Sequence, residues 1–150
     1  MEGDTLAALD WFTQGFSCAQ AIVATFGIHH GLDLEHALRV AGAFGGGMAR
    51  MGETCGAVTG ALMVIGLIYG RIRPEDEAAK EKTYHLTQLF VDRFRARNGS
   101  ILCRELLGYD ISTVYGLQKA RDTNLFRTLC PEYVRVSAEI LQDLIREGQE

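Results

Sequence analysis

The sequence predicts an all-α fold: a compact single-domain helical bundle of about five to eight helices spanning residues 1–150. Three observations support this prediction. Apolar residues recur mainly at spacings of three and four, the period of a helix with one buried face. The chain contains only two prolines, which rarely fit inside a helix. No segment alternates apolar and polar residues as a half-buried strand would.

The first three predicted helices each follow a residue whose side-chain oxygen can accept a hydrogen bond from the first helical turn. Gly15 is expected to end the first of them, and Gly27 and Gly31 mark the end of the second. The three segments and their caps are 4–11 with Asp4, 18–26 with Ser17, and 34–43 with Asp33.

A glycine loop precedes the predicted central helix. The run Gly45-Gly46-Gly47 interrupts the helical pattern, because glycine loses more backbone entropy in a helix than any other residue. We expect Thr54 to cap a helix that continues to Tyr69 and ends at Gly70. The apolar run 57–69 is shorter than the about 20 residues that cross a bilayer. It therefore predicts a buried core helix, and the protein is not expected to span a membrane.

The second half of the chain predicts further helices. Pro74 is typical of the first turn of a helix, and Asn98-Gly99 is expected to end this long helix. Acidic residues near the start of the helix and arginines near its end complement the helix dipole. The remaining predictions are a short helix capped by Ser100, a helical stretch near 114–126, and a last helix opened by Cys130-Pro131.

Composition and charge exclude several classes of function. The net charge is -4 and no basic run occurs, so the chain lacks the positive surface that nucleic acid requires. The N-terminus, Met-Glu-Gly-Asp-Thr, lacks the basic patch and apolar core of a secretory signal, which predicts a cytoplasmic location. Thiols are mostly reduced there. The 4 cysteines are therefore expected to be catalytic, redox-sensing, metal-binding or simply buried, rather than permanent disulfides.

Every cysteine falls in the first turn of a predicted helix. The unpaired N–H groups and the positive dipole end of a helix stabilise an anion, so a thiolate there can have a pKa below its usual value of about 8.5. No C-x-x-C motif is present, so any pair or ligand set must be assembled by the fold. The positions predict thiol chemistry at Cys18, Cys55, Cys103 and Cys130.

Four segments carry a family resemblance: GFSCAQAI, GGGMARMGETCGAVTGALMVIGL, ILCREL and TLCPEYV. Together they resemble the C_GCAxxG_C_C family of redox-active proteins with four characteristic cysteines, over residues 16–134. The central motif of that family stands here as Cys55-Gly56-Ala57-Val58-Thr59-Gly60. The resemblance implies that the four cysteines act as one functional set. Family members often lie near transporter genes, which implies a transporter as a possible partner.

The glycines of this motif bear on which cysteines meet. Gly56 and Gly60 lie four residues apart on one helix face, so another helix can approach closely. A disulfide needs its two α-carbons within about 4.4–6.8 Å, and small residues make that easier. We favour Cys18 as the partner of Cys55, because the segment around it is also rich in small residues, with Cys103 and Cys130 as the second pair. Four cysteines permit three connectivities, and the sequence alone does not choose among them.

The sequence thus predicts a thiol-disulfide redox protein or redox sensor that acts on a partner protein or a small thiol. Cys55 is the predicted attacking thiol and Cys18 the resolving thiol, while Gly45 to Gly47 predict a flexible loop through which Cys55 is reached. Two alternatives stay open. The four thiolates could instead hold a metal ion or an iron-sulfur cluster. The cysteines could also be inert, in a helical protein that binds a membrane transporter.

Overall fold

The computed structural model describes residues 2–149, and its helices confirm the predicted all-α class. Single turns at Ile28–His30 and Leu125–Thr128 lie between the longer helices. Over the described part of the chain, no helix is long and apolar enough to cross a membrane. The longer helices are α1 (Glu2–Thr13), α2 (Cys18–Gly27), α3 (Leu34–Val40), α4 (Gly56–Tyr69), α5 (Glu77–Asn98), α6 (Cys103–Leu107), α7 (Val114–Asp122) and α8 (Cys130–Gly148).

Capping side chains set several helix ends where the sequence predicts them. The Ser17 hydroxyl accepts a hydrogen bond from the backbone N–H of Gln20, whose side-chain oxygen accepts in return from the N–H of Ser17. This reciprocal pair fixes the start of α2. Asp33 likewise accepts from the backbone N–H of His36 at the start of α3. Gly99 ends α5 with a left-handed φ of 88°.

Two predicted helix starts in the outer helices are wrong. Asp4 lies inside the first turn of α1 and does not cap the helix. Its negative charge there interacts favourably with the positive end of the helix dipole. Pro74 precedes α5, which begins at Glu77 with the Asp76 side chain accepting from the backbone N–H of Ala79. The carbonyl of Pro74 instead accepts a hydrogen bond from a nearby arginine side chain in the turn before the helix.

Two predicted caps beside the cysteines are also wrong. Cys55, not Thr54, is the N-terminal capping residue of α4, and Leu102, not Ser100, is that of α6. The reason is a contact between segments distant in the chain, since Thr54 and Leu102 form an isolated antiparallel bridge. The Ser100 hydroxyl accepts from the N–H of Leu102 and so holds this short extended segment in place.

Two predicted helices are shorter than expected. Helix α3 ends at Val40 rather than at residue 43, and the chain turns immediately afterwards. The stretch predicted near 114–126 is divided by Asn124, whose left-handed φ of 61° ends one helical segment before the next begins. Asparagine tolerates this conformation better than most residues, because its short polar side chain can hydrogen-bond locally.

The core forms where α4 packs against α2, α5 and α8. From α5, the buried rings of Phe90 and Phe94 stack with their centroids 6.1 Å apart. From α8, the fully buried Ser137 hydroxyl donates to the carbonyl of Ala57 over 2.7 Å. This hydrogen bond ties the last helix to the first turn of α4, where Cys55 lies.

Helices α2 and α4 approach closely at the two glycines of the central motif. A Cβ atom built on Gly60 would lie 2.9 Å from the carbonyl oxygen of Ala19, and one built on Gly56 would lie 3.0 Å from the Ala19 nitrogen. Real Cβ atoms essentially never come within 3.0 Å of another heavy atom. Only glycine therefore allows this helix pair its present separation, as the sequence predicts.

Gly60→Ala is expected to lower the free energy of unfolding by about 1–3 kcal/mol, because α2 and α4 must move apart. Gly66→Ala in the same helix is the matched control. A Cβ atom there meets nothing within 4 Å, so the higher helix propensity of alanine should raise stability by about 0.5–1 kcal/mol. Urea unfolding of both variants measures the difference, and equal effects would contradict the close contact.

Candidate functional site

The structure brings the four predicted cysteines to one cavity of about 130 Å³. Each of them stands at the start of a helix: Cys55 caps α4, and the other three are the first residues of α2, α6 and α8. All four are free thiols, of which Cys18 is half-buried and the others are buried. The fold thus gathers four helix N-termini from distant parts of the chain.

Backbone pairing places Cys55 beside Cys103. The N–H of Cys55 donates to the carbonyl of Ile101 over 2.7 Å, and the N–H of Cys103 donates to the carbonyl of Glu53 over 2.6 Å. These hydrogen bonds flank the bridge between Thr54 and Leu102. The Arg104 side chain reinforces the same junction through an ion pair with Glu53, with 3.2 Å between nitrogen and oxygen. The two cysteines are consequently held at fixed positions before their helices begin.

Helix packing places Cys18 beside Cys55. A Cβ atom built on Gly56, the residue after Cys55, would lie 3.3 Å from the Cβ of Cys18. The thiol of Cys18 also interacts with that of Cys130 at the start of α8. Cys18 therefore lies between two other thiols, a position that the sequence does not reveal.

The pKa of the Cys55 thiol is lowered from its ordinary value. The largest cause is a hydrogen bond from the Cys18 thiol, which stabilises the Cys55 thiolate. Burial opposes this effect, and the backbone N–H groups of Ala57 and Val58 in the first turn of α4 support it. The direction is the one expected for a thiol at a helix N-terminus, but the largest cause is the neighbouring Cys18 thiol.

The pKa values of two other thiols are raised, contrary to the sequence-based expectation. Hydrogen bonds with Cys130 and Cys55 raise the pKa of Cys18 well above its ordinary value, and burial adds to this. Burial, and then the charges of its cysteine neighbours, raise the pKa of Cys103 to about 12. A helix N-terminus alone therefore does not produce a thiolate here, because desolvation and neighbouring thiolates outweigh the helix dipole.

A left-handed turn covers one side of the cysteine cavity. Five consecutive residues, Gly46 to Arg50, have φ angles between 50° and 67°. Hydrogen bonds close the turn, including one from the N–H of Glu53 to the carbonyl of Gly47 over 3.0 Å. The segment predicted as a flexible loop therefore forms a hydrogen-bonded turn of left-handed residues, a conformation that costs energy at Met48, Ala49 and Arg50. Gly46 and Gly47 form part of the cavity wall.

Aromatic side chains that sequence reasoning missed complete the wall. Phe12 of α1, Phe126 and Tyr133 line the cavity together with the cysteines. The Tyr133 hydroxyl donates to the carbonyl of Leu106 over 2.9 Å, which fixes the ring at the edge of the site. Their helical spacing gives no sign of this role, because an aromatic residue in the core has the same spacing.

The four thiols share a cavity without forming a recognisable ligand set. Between residues 2 and 149, no three side chains of His, Cys, Asp or Glu are arranged to hold a metal ion. The interaction with the largest effect on the pKa of Cys55 is that with the Cys18 thiol, which acts as the proton donor.

The fold and the site together define an all-α protein with four thiols at helix N-termini around one small cavity. The family model described as "Putative redox-active protein (C_GCAxxG_C_C)" matches residues 16–144. The chain belongs to this family, and the general redox role of the family is the function it shares. Searches of curated proteins and of solved structures found no match.

Proposed function

We propose that the protein is a thiol-disulfide redox protein in which Cys55 attacks a disulfide and Cys18 resolves the product. The observation that carries this proposal is the contact between the two thiols, with the pKa of Cys55 lowered and that of Cys18 raised. The thiolate is the nucleophilic form of cysteine, so Cys55 is the more reactive nucleophile of the two before any substrate binds.

In the first step, the Cys55 thiolate attacks one sulfur of a substrate disulfide. A bond forms between Cys55 and that sulfur, the substrate S–S bond breaks, and the other half leaves as a thiolate that takes a proton from water. The small cavity and the 5% exposure of Cys55 favour small disulfides or narrow segments of a partner.

In the second step, Cys18 attacks the Cys55 sulfur of the mixed disulfide. The charge on Cys55 is one cause of the raised pKa of Cys18, and this charge disappears when Cys55 becomes part of the mixed disulfide. Cys18 then loses its proton more readily and displaces the remaining substrate thiolate, which takes up a proton. The substrate disulfide is reduced to two thiols, and Cys18 and Cys55 become a disulfide.

Cys103 and Cys130 are the second pair in this proposal. Both line the cavity, and the charge of Cys130 is one cause of the raised pKa values of Cys18 and Cys103. Since its pKa is raised to about 12, Cys103 stays protonated near neutral pH and is not the first nucleophile.

The pH dependence of alkylation tests the assignment of Cys55. The rate of its modification by iodoacetamide, followed peptide by peptide in a mass spectrometer, should reach half its maximum at a lower pH than that of an ordinary cysteine thiol, because the pKa of Cys55 is lowered. It should fall as the pH drops through that point, because the thiolate is protonated. Cys103 should stay unmodified throughout this range, and Cys55→Ser should remove the reactive thiol. Four thiols that all titrate at the ordinary value would refute the assignment.

Peptide mapping of the oxidised protein tests the pairing. A Cys18-Cys55 linked peptide is the expected product, and a Cys18-Cys103 peptide would reject the arrangement. Metal analysis of anaerobically purified protein tests the alternative of a metal or iron-sulfur site. Bound zinc or iron, together with blocked thiols, would favour that site over redox exchange.

A further inference from the structure

A larger groove of about 610 Å³ lies next to the cysteine cavity. Ser17, Gly46 and Phe126 line both spaces, so the two share a wall. Ser17 directly precedes Cys18 in the chain. A molecule that lies in the groove is therefore adjacent to the thiols that the proposed function uses.

The groove is positively charged in a protein that is acidic overall. Arg50 and Arg121 line it, and none of its described lining residues is acidic. Neither guanidinium forms an ion pair among residues 2–149. The whole chain has a net charge of -4, so the groove carries the opposite sign of charge from the protein as a whole. Guanidinium groups bind carboxylates through paired, charge-assisted hydrogen bonds.

The backbone holds Arg50 at the rim of this groove. The residue ends the left-handed turn with a φ of 63°, and its N–H donates to the carbonyl of Gly45 over 3.0 Å. A Cβ atom on Gly46 would lie 3.0 Å from the Cα of Arg50, so the turn is tightly closed. Strained backbone of this kind persists only where the surrounding structure enforces it, and it is concentrated at binding sites.

The rest of the groove suits an aliphatic chain. Ile111, Leu117 and Phe126 provide apolar surface in the groove, and Phe126 also lines the cysteine cavity. A ligand with charged ends and an apolar middle would place its carboxylates on the arginines and its middle near the shared wall.

We propose that this groove binds small disulfides that carry carboxylate groups, with Arg50 and Arg121 contacting the carboxylates. This inference rests on the proposed function and names its substrate class. The substrate S–S bond is reduced to two thiols that carry carboxylates, while Cys18 and Cys55 supply both electrons and become a disulfide.

Three small disulfides of different charge test the substrate class: 3,3′-dithiodipropionate, neutral 2-hydroxyethyl disulfide and cationic cystamine. Each rate of oxidation of the reduced protein is divided by the rate of the same disulfide with a simple free thiol, which corrects for leaving-group reactivity. We expect the dianion to be favoured over cystamine by at least about tenfold at low ionic strength, and less as salt is added.

The variant R50Q/R121Q should lose this preference, so that its corrected rates with the dianion and with cystamine become about equal. R127Q is the matched control, because Arg127 is exposed, forms no ion pair within the described residues and lies outside the groove. A preference that survives in R50Q/R121Q, or that R127Q abolishes equally, would overturn the proposal.

A binding measurement separates this proposal from the redox function. Suberate has the length and charges of dithiodipropionate without its sulfur atoms. We expect it to bind the wild-type protein and to slow alkylation of Cys55 by iodoacetamide, with affinity at least about tenfold lower in R50Q/R121Q. Equal binding by that variant, or no binding by the wild type, would overturn the groove assignment. If suberate binds as expected and no disulfide oxidises the protein, the proposed redox function fails and the carboxylate site stands.

Discussion

Cys18→Ala is expected to trap Cys55 as a stable mixed disulfide with 2-hydroxyethyl disulfide and to raise the pKa of Cys55. The mixed disulfide accumulates because the proposed resolving thiol is gone. The pKa rises because the hydrogen bond from Cys18 is the largest influence that lowers it. Each unit of that rise lowers the thiolate fraction near neutral pH about tenfold. Intact-mass spectrometry detects the adduct, and alkylation at several pH values measures the pKa.

Cys18→Ser separates the accumulation of the mixed disulfide from the rise in the pKa of Cys55. Its hydroxyl can still donate a hydrogen bond to the Cys55 thiolate, so the pKa should stay closer to that of the wild type, while the mixed disulfide still accumulates. Cys103→Ser controls for the loss of any cysteine and should do neither. Rapid release of the adduct from Cys18→Ala would show that another thiol resolves the intermediate.

Gly47→Ala is expected to lower the free energy of unfolding by about 2–4 kcal/mol. A Cβ atom there would lie 2.6 Å from the nitrogen of Glu53 and 2.7 Å from the Cβ of Cys103. The left-handed φ of 64° adds a conformational penalty for alanine. For a chain of this size, the melting temperature should fall by about 5–15 °C, which far-UV circular dichroism measures.

Gly108→Ala isolates the conformational part of this effect. Gly108 has a left-handed φ of 78°, and a Cβ atom there meets nothing within 4 Å. This substitution should lower the free energy of unfolding by about 1 kcal/mol, since only backbone strain is added. If both variants lose the same stability, the steric contact at Gly47 does not restrict the turn.

Local chemistry made much of the fold predictable from the sequence. Ser17 and Asp33 cap their helices through hydrogen bonds to residues three positions later, and Gly99 ends its helix by adopting a left-handed φ. Such contacts depend only on neighbouring residues, so the sequence contains the information directly. The closeness of Cys18 and Cys55 was predictable only in part, because Gly56 and Gly60 mark a helix face that another helix can approach but do not specify which helix meets it.

The remaining features depend on contacts between distant segments. Because Thr54 forms a bridge with Leu102, α4 and α6 begin later than their predicted caps indicate. No local sequence pattern predicts this bridge. Met48, Ala49 and Arg50 adopt left-handed φ angles that such residues rarely favour, so their sequence argues against the conformation they take. The divergence of the thiol pKa values likewise follows from burial and from mutual contact, which appear only once the helices are assembled.

At Gly60, α4 meets main-chain atoms of Ala19 and the Cβ of Ile22 in α2. Exchanges among aliphatic side chains elsewhere in the interior can therefore leave the separation of the Cys18 and Cys55 helices unchanged. The spacing of the helices that carry Cys18 and Cys55 therefore depends on the two glycines at their contact.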